Sequence, residues 1–453
     1  METRQGESSS TPGSVRVYTV SLGCPKNRVD TENMLGQLGD AYQPASEALE
    51  ADVILVNTCA FIQPAVEESV QTILHIGMDL SHASKRPLLA VTGCLPARYG
   101  TAELGKELPE VDLWLSLEEQ PLFARRLASS FHLPHPESSR LLTTPPGYAY
   151  LKISEGCEHR CAFCTIPSIR GGLCSVPVRE VHKEAVRMRD LGVRELCLVA
   201  QDLSAYGRDW GWGTSGLCRV LDSLLGVSGV DWIRLMYLYP TGLSRELLQY
   251  ISRTGSPLLP YIDVPLQHAH PDVLRRMGRP FVNDPRRVVD RVYDIMPQAC
   301  LRTSLIVGYP GETEAHFQAL LNFIRQVRFW HVGVFTFSPE EGTAAAGLLD
   351  QIPEHIKEQR RAEVMHLQAE ISREIMSGFV GQTLPVLIDA PEPEWPELFQ
   401  GRAWFQAPEV DGLTYVSSQE AEPGDMVQAE VVDSMTYDLS ALAVQVRPEG
   451  GRG

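Results

Sequence analysis

Cys157, Cys161 and Cys164 lie in the run Gly156-Cys157-Glu-His-Arg-Cys161-Ala-Phe-Cys164, with three residues and then two between them. Three thiolates can hold three corners of a 4Fe-4S cluster and leave the fourth iron open for a substrate or cofactor to coordinate. A zinc site is the rival reading, with His159 or a distant residue as fourth ligand. Structural zinc takes paired ligands from two separate knuckles, and no second pair follows. On the cluster reading His159 is a solvent-facing loop residue. Phe163, between the last two cysteines, is placed to shield a cluster and pack against an adenine.

A second set, Cys24, Cys59 and Cys94, recurs at intervals of 35 residues. Read linearly, that spacing is too wide for a metal motif. Each cysteine, however, follows a short apolar, β-branched segment: Val15 to Leu22, Asp52 to Thr58 and Leu88 to Thr92. Alternating strand and helix patterns specify a parallel sheet, whose ligand sites gather at the carboxyl ends of the strands. Three cysteines one βα unit apart can therefore converge. The competing reading is three buried packing cysteines.

The alternation resumes beyond a Pro-, His- and Ser-rich linker. Strands are expected at Tyr148 to Ser154, Arg194 to Ala200, Trp232 to Leu238, Tyr261 to Pro265, Arg302 to Val307 and His331 to Phe337. Six βα units predict a partial barrel, with the Cys157 loop after its first strand, where barrel chemistry is expected. The run through Ser304, Ile306 and Gly308 enters a Gly/Pro turn that lets backbone approach a nucleoside. Gly211, Gly213 and Gly216 match the dinucleotide fingerprint but follow a polar loop and not a strand, so the match is set aside. Cys174, Cys197, Cys218 and Cys300 fit no ligand spacing and read as packing residues. A charged helix over Pro353 to Ser377 is expected to pack across the barrel. After Gly378, five short strands separated by Gly, Pro and Asp, at Thr383 to Asp389, Gly401 to Gln406, Thr414 to Ser417, Met426 to Val432 and Ala441 to Val446, predict a small closed antiparallel barrel, a binding appendage.

The fold class is thus α/β in three parts. Residues 1–14 are a disordered leader, 15–130 a βαβ parallel-sheet domain, 131–147 a linker, 148–377 a partial (β/α)6 core with its closing helix, and 378–449 the small barrel. A chain of 453 residues is too long for a single core. No apolar run approaches the roughly 18 residues of a membrane span, and no apolar leader suggests export, so a cytoplasmic protein is expected. In a reducing compartment ten cysteines serve metals better than disulfides. Of the net charge of −17, much lies beyond Thr383, where 13 Asp/Glu face 3 Lys/Arg. Such a surface repels phosphate backbones and attracts a basic partner, or serves only as a solvated face.

The Cys157 loop resembles that of the radical S-adenosylmethionine superfamily. Glu155-Gly-Cys157 and Ile166-Pro-Ser-Ile-Arg170-Gly171 resemble its methylthiotransferases. Ser21-Leu-Gly-Cys24-Pro-Lys-Asn27, Asn57-Thr-Cys59 and Thr92-Gly-Cys94 are similar to that family's N-terminal iron–sulfur domain, and the C-terminal barrel resembles its TRAM domain. Ala200-Gln-Asp-Leu-Ser-Ala-Tyr206-Gly, Tyr237-Leu-Tyr-Pro240, Pro265-Leu-Gln-His268-Ala and Ala407-Pro-Glu-Val-Asp411-Gly are similar to its ribosomal-protein branch. Cys174 and Val176 depart from the pattern, because relatives commonly carry basic residues there.

The resemblance implies two 4Fe-4S clusters, one on Cys24, Cys59 and Cys94 and one on Cys157, Cys161 and Cys164. It implies S-adenosylmethionine as methyl donor and radical source, cradled by Phe163, Ala200, Gln201, Asp202, Ser304, Ile306 and Gly308. The second cluster would chelate the cofactor, whose cleavage yields a 5′-deoxyadenosyl radical, and the first would carry the sulfur. The implied substrate is the β-carbon of an aspartate in ribosomal protein S-twelve, whose C–H no side-chain base could deprotonate; no acid–base catalytic residue is expected. Methylthiolation of an adenosine in transfer RNA is the alternative. Charge favours the protein, since a TRAM barrel built to grip RNA should carry Lys and Arg. The implied partners are S-twelve, docked partly by the acidic TRAM domain, and a low-potential electron donor such as flavodoxin; neither a membrane nor a nucleic-acid substrate is expected. A non-catalytic iron–sulfur assembly or binding protein would carry the same cysteines without cleaving the cofactor.

Overall fold

The computed structural model describes residues 14–83, 85–131, 139–279 and 285–444. The leader, part of the linker and the last residues assigned to the small barrel lie outside the described residues. The chain forms two compact units: residues 1–143 with 168–170, and residues 144–167 with 171–453.

The first unit is built on a parallel sheet of order β2-β1-β3-β4-β5. Its strands are β1 (Val15–Ser21), β2 (Tyr42–Pro44), β3 (Val53–Thr58), β4 (Leu88–Gly93) and β5 (Leu113–Trp114). All six residues of β3 are buried, as expected of a central strand covered by crossover helices on both faces. One cover is the helix Gln63–Ser81, which carries a proline in its first turn and buries Val66, Ser69, Ile73, Ile76 and Leu80, a largely apolar stripe at helical spacing. Composition gave no strong signal for the short edge strands β2 and β5.

The second unit opens with a parallel sheet of order β13-β12-β11-β10-β9-β6. The strands are β6 (Tyr148–Lys152), β9 (Glu195–Val199), β10 (Trp232–Leu235), β11 (Leu258–Asp263), β12 (Cys300–Val307) and β13 (His331–Thr336). Among the described residues β6 and β13 do not pair, so this is an open partial barrel. A hairpin of β7 (Ser154–Glu155) and β8 (Cys174–Ser175) brackets the cysteine loop. The helix Glu354–Ser377 buries Val364, Leu367 and Ile371 against Leu305, Val307 and Phe317. The small barrel is closed, in the order β14-β15-β16-β18-β17, with β14 (Thr383–Glu392), β15 (Trp395–Ala403), β16 (Thr414–Ser417), β17 (Met426–Ser434) and β18 (Leu439–Ala443). Its seams are antiparallel except for β16 with β18, which run parallel, because the chain passes through β17 between them. The strand expected at Gly401 to Gln406 instead starts at Trp395 and ends at Ala403, freeing the following residues for another purpose.

That purpose is a plug. Residues 404–411, between β15 and β16, reach the amino-terminal ends of the core strands. Arg234 donates to the Trp404 carbonyl at 2.8 Å, and Tyr148 and Tyr150 donate to the Glu409 carboxylate at 3.0 and 3.1 Å. Asp411 accepts from Tyr261 at 2.7 Å and from Arg302 at 3.2 Å. Beside the plug, Glu195 bonds Arg234 at 2.6 Å and also pairs with Arg402, which grips Asp389 at 2.7 Å. Although burial pushes Glu195 upward, Arg234 and Arg402 hold it below the usual carboxylate range. His331 and Arg302 do the same for buried Asp411.

Removing one partner of a buried ion pair leaves an uncompensated charge, at a cost of about 3–5 kcal/mol. Glu195→Gln, which leaves the buried Arg234 guanidinium without its carboxylate while Arg402 keeps Asp389, is therefore expected to lower the urea stability of the second unit by about that amount. Glu394→Gln, at an exposed carboxylate, should leave it unchanged.

Candidate cluster sites

In the first unit the three cysteines follow neighbouring strands β1, β3 and β4, at their carboxyl ends. Asn27 ties these ends together. Its Nδ2 donates to the carbonyls of Leu22 at 2.8 Å and Thr58 at 2.9 Å, and Cys94 Sγ lies 3.9 Å from its Oδ1. Asn57 donates to the Asn27 carbonyl at 2.8 Å, and Thr58 Oγ1 donates to Thr92 O at 2.6 Å. Gly93 has φ +102°, and a Cβ there would stand 2.3 Å from Asn57 Oδ1 and 2.4 Å from Thr58 O. Only glycine allows β4 to turn Cys94 toward its partners at that spot.

The second unit presents the Cys157 loop at the carboxyl end of β6. Gly156 has φ +75°, and a Cβ on it would fall 2.0 Å from the Gly172 carbonyl. Cys157 N–H bonds Gly171 O at 3.0 Å. Arg279 Nη1 lies 3.2 Å from Cys161 Sγ, and its guanidinium covers the Tyr239 ring at 4.4 Å. On the other face of Tyr239 the His159 ring stacks at 3.5 Å and 12°, with Nε2 2.7 Å from Asp202 Oδ2. The expected solvent-facing His159 is thus corrected. Its polar edge is held by Asp202 and its face by Tyr239, an attachment that loop composition does not reveal. A pocket beside the loop is lined by Gly156, Cys157, His159, Leu173, Asp202 and Arg208.

Burial pushes the thiols of Cys94 and Cys157 up, that of Cys59 to about 11 and that of Cys164 to about 12. Such thiols stay protonated at neutral pH and are poor free nucleophiles. Bound to iron they would ionise, and backbone N–H groups two residues ahead, of Phe61, His159 and Ile166, already serve Cys59, Cys157 and Cys164. The donor set fits iron–sulfur clusters. Neither triad forms a cage for one metal ion, because among the described residues only His270, Asp272 and His316 bring three ligand atoms within 4.8 Å. That group is a poor cation site: both imidazole Nδ1 atoms accept backbone N–H groups at helix starts, His270 from Asp272 and His316 from Thr313, where the positive end of the helix dipole opposes a metal.

Of the other sequence-predicted residues, Ala200, Gln201 and Asp202 lie just past β9. Ala200 is buried. Gln201 donates to Glu155, while its buried Oε1, like Ser154 Oγ, has no partner within the protein. Asp202 accepts from Ser204 N at 2.9 Å and Tyr239 N at 3.3 Å besides holding His159. Ser304 lies on β12. Ile306 and Phe163 pack at the margin of a cluster of Met277, Tyr309 and Phe337. Gly308 is closed in, with Lys357 over it and its N–H on Glu312. Sequence reasoning missed Arg279, which is distant in the chain from all six cluster cysteines, and it quoted Tyr239 and Arg170 within motifs without giving either a role. It quoted Asn27 within the Cys24 motif without giving it a role. Cys197 and Cys300 are buried, and Cys174 is exposed.

Residues 16–116 match an uncharacterized protein family, UPF0004, residues 151–324 the radical SAM superfamily and residues 380–444 the TRAM domain. The chain is 56% identical over 430 residues to the ribosomal protein uS12 methylthiotransferase RimO of Nitratidesulfovibrio vulgaris strain Hildenborough, covering 95% of this chain and all of that one. It is 45% identical to the protein of that name from Syntrophus aciditrophicus, across 94% of this chain and 98% of the other. Among solved structures, the radical S-adenosylmethionine methyltransferase TsrM of Kitasatospora setae, with cobalamin and a [4Fe-4S] cluster bound, aligns at TM-score 0.51 and 12% identity. The alignment covers 85% of this chain and 80% of TsrM and speaks to fold alone.

Gly93→Ala is expected to lose the iron carried by the first unit and keep that of the Cys157 loop. Iron and sulfide analysis of the reconstituted variant checks this, and a full complement of iron would contradict the role given to the Gly93 turn.

Proposed function

This chain belongs to the RimO family of ribosomal protein uS12 methylthiotransferases, and from that premise we propose how its own residues serve the reaction. The activity is addition of a methylthio group to the β-carbon of an aspartate in uS12, and the transfer RNA alternative is set aside. The observation that carries this reading is full-length identity of 56% together with two cysteine triads at strand carboxyl ends. When bound, two 4Fe-4S clusters and S-adenosylmethionine supply the one-electron chemistry, the hydrogen-abstracting radical and the methylthio group. Cys24, Cys59 and Cys94 would hold one cluster, and Cys157, Cys161 and Cys164 the other.

The surrounding residues prepare the second site. Arg279 donates to Cys161 and offsets thiolate charge. His159, stacked on Tyr239 and held by Asp202, walls one side of the loop and limits water. Gln201 Oε1 and Ser154 Oγ are buried acceptors left unpaired, and such groups are costly unless a ligand completes them; the ammonium and hydroxyl groups of S-adenosylmethionine are suitable donors. Phe163, Ser304 and Ile306 contribute apolar and small surface nearby. Gly308, packed under Lys357, would shape this wall without touching the cofactor. Asp202 is already engaged by three groups, so none of these side chains is poised as a general base. That suits a reaction at an unactivated carbon.

We propose the small barrel as the docking surface. Its Asp389 and Asp411 are spent inside the second unit, but Glu394, Glu397, Glu420, Glu422, Glu430 and Asp433 are exposed and complement a basic ribosomal protein. A low-potential one-electron donor such as flavodoxin would serve the second cluster. Among the described residues no helix is long and apolar enough to cross a membrane.

Offered uS12 and unmodified transfer RNA in parallel, the reconstituted protein is expected to add the methylthio mass only to uS12; addition to the RNA alone would reject the assignment. Cys161→Ala should abolish formation of 5′-deoxyadenosine. Cys94→Ala should lose methylthiolation while still cleaving S-adenosylmethionine.

A further inference from the structure

Arg170 is a basic side chain of the first unit whose bonds reach a cysteine thiol. It belongs to the short segment 168–170 that packs with residues 1–143, although in sequence it lies six residues past Cys164. Its side chain is 3% exposed. Nη1 donates to Asp30 Oδ2 at 2.8 Å. Nη2 donates to Asn27 Oδ1 and stands 3.4 Å from Cys94 Sγ. Asp30 and Asn27 therefore hold the planar fork on both terminal nitrogens and aim the other Nη2 N–H at sulfur. A guanidinium remains charged at every accessible pH and directs its donors rigidly, which a lysine ammonium does not.

We propose that Arg170 is a positioning residue for the first cluster, donating a charged hydrogen bond to the Cys94 thiolate and thereby raising that cluster's reduction potential. Donors and positive charge at ligand sulfur stabilise the more negative, reduced state. Asp30 neutralises part of the charge but leaves the directed N–H···S bond intact. The inference rests on Cys24, Cys59 and Cys94 being cluster ligands and adds to that reading the group that sets the cluster's electronics.

The test uses the full chain carrying Cys157→Ala, Cys161→Ala and Cys164→Ala, so that only the first cluster contributes to the spectrum. Its midpoint potential is read by redox titration with EPR, alone and with Arg170→Gln or Arg170→Lys added. The expected result is a shift to more negative potential in Arg170→Gln, with Arg170→Lys closer to the parent. Loss of the cluster in Arg170→Gln but not in Arg170→Lys also supports a need for positive charge at that sulfur. An unchanged potential in Arg170→Gln overturns the proposal and leaves the cluster assignment standing. Equal shifts or equal loss of iron in both variants also overturn it, since a purely structural role predicts that outcome. A triple-cysteine parent that takes up no iron overturns the cluster assignment and the role of Arg170 together.

Discussion

Burial raises the pKa of Cys59, Cys94, Cys157 and Cys164, so these thiols stay protonated without a cation, and the arrangement around the two cysteine triads follows from that constraint. Burial holds Cys59 at about 11 and Cys164 at about 12, so a site lacking iron would keep neutral, inert sulfur. The protein meets the cost of thiolates with fixed donors: backbone N–H groups two residues ahead of three of the cysteines, Arg279 at Cys161 and Arg170 at Cys94. Each such donor must be aimed, and the aiming accounts for the glycines at Gly93 and Gly156 and for the side-chain hub at Asn27.

A second charge problem shapes the other end of the barrel. Tyr148, Glu195, Arg234, Tyr261, Arg302 and His331 point polar groups into the amino-terminal end of an otherwise apolar core, where unpaired charge is expensive. Residues 404–411 resolve it by supplying Glu409, Asp411 and the carbonyls of Trp404 and Phe405. The small barrel is therefore part of the core's own structure as well as a surface. Asp389 and Asp411 are consumed internally and Glu409, though exposed, is tied to Tyr148 and Tyr150, so the negative face offered to a partner is smaller than its composition suggests.

Much of this was legible in the chain. The βα repeat placed Cys24, Cys59 and Cys94 at strand ends, because period and spacing are local properties that survive folding. The Cys157 loop was legible for the same reason. His159 was not, since its environment is made by Tyr239 and Asp202, forty or more residues away. Arg279 and Arg170 were likewise hidden: nothing local distinguishes an arginine that bonds sulfur from one that faces water. The β15 boundary was misplaced because Trp404 and Phe405 look like strand residues, yet they leave the barrel to seat the plug, with Phe405 stacked on Phe379 at 4.5 Å. Gly308 reads as an open cradle in sequence, but Lys357 from a distant helix covers it.

The central claim is that the chain holds two clusters, each on three cysteines, and that one of them takes S-adenosylmethionine. Mössbauer spectroscopy of the full-length protein reconstituted with iron-57 tests it most directly. Two 4Fe-4S clusters are predicted, with S-adenosylmethionine changing a single iron site that disappears when Cys157, Cys161 and Cys164 are replaced by alanine. A single cluster in the intact protein, or a cofactor-sensitive iron that survives that replacement, would contradict the account.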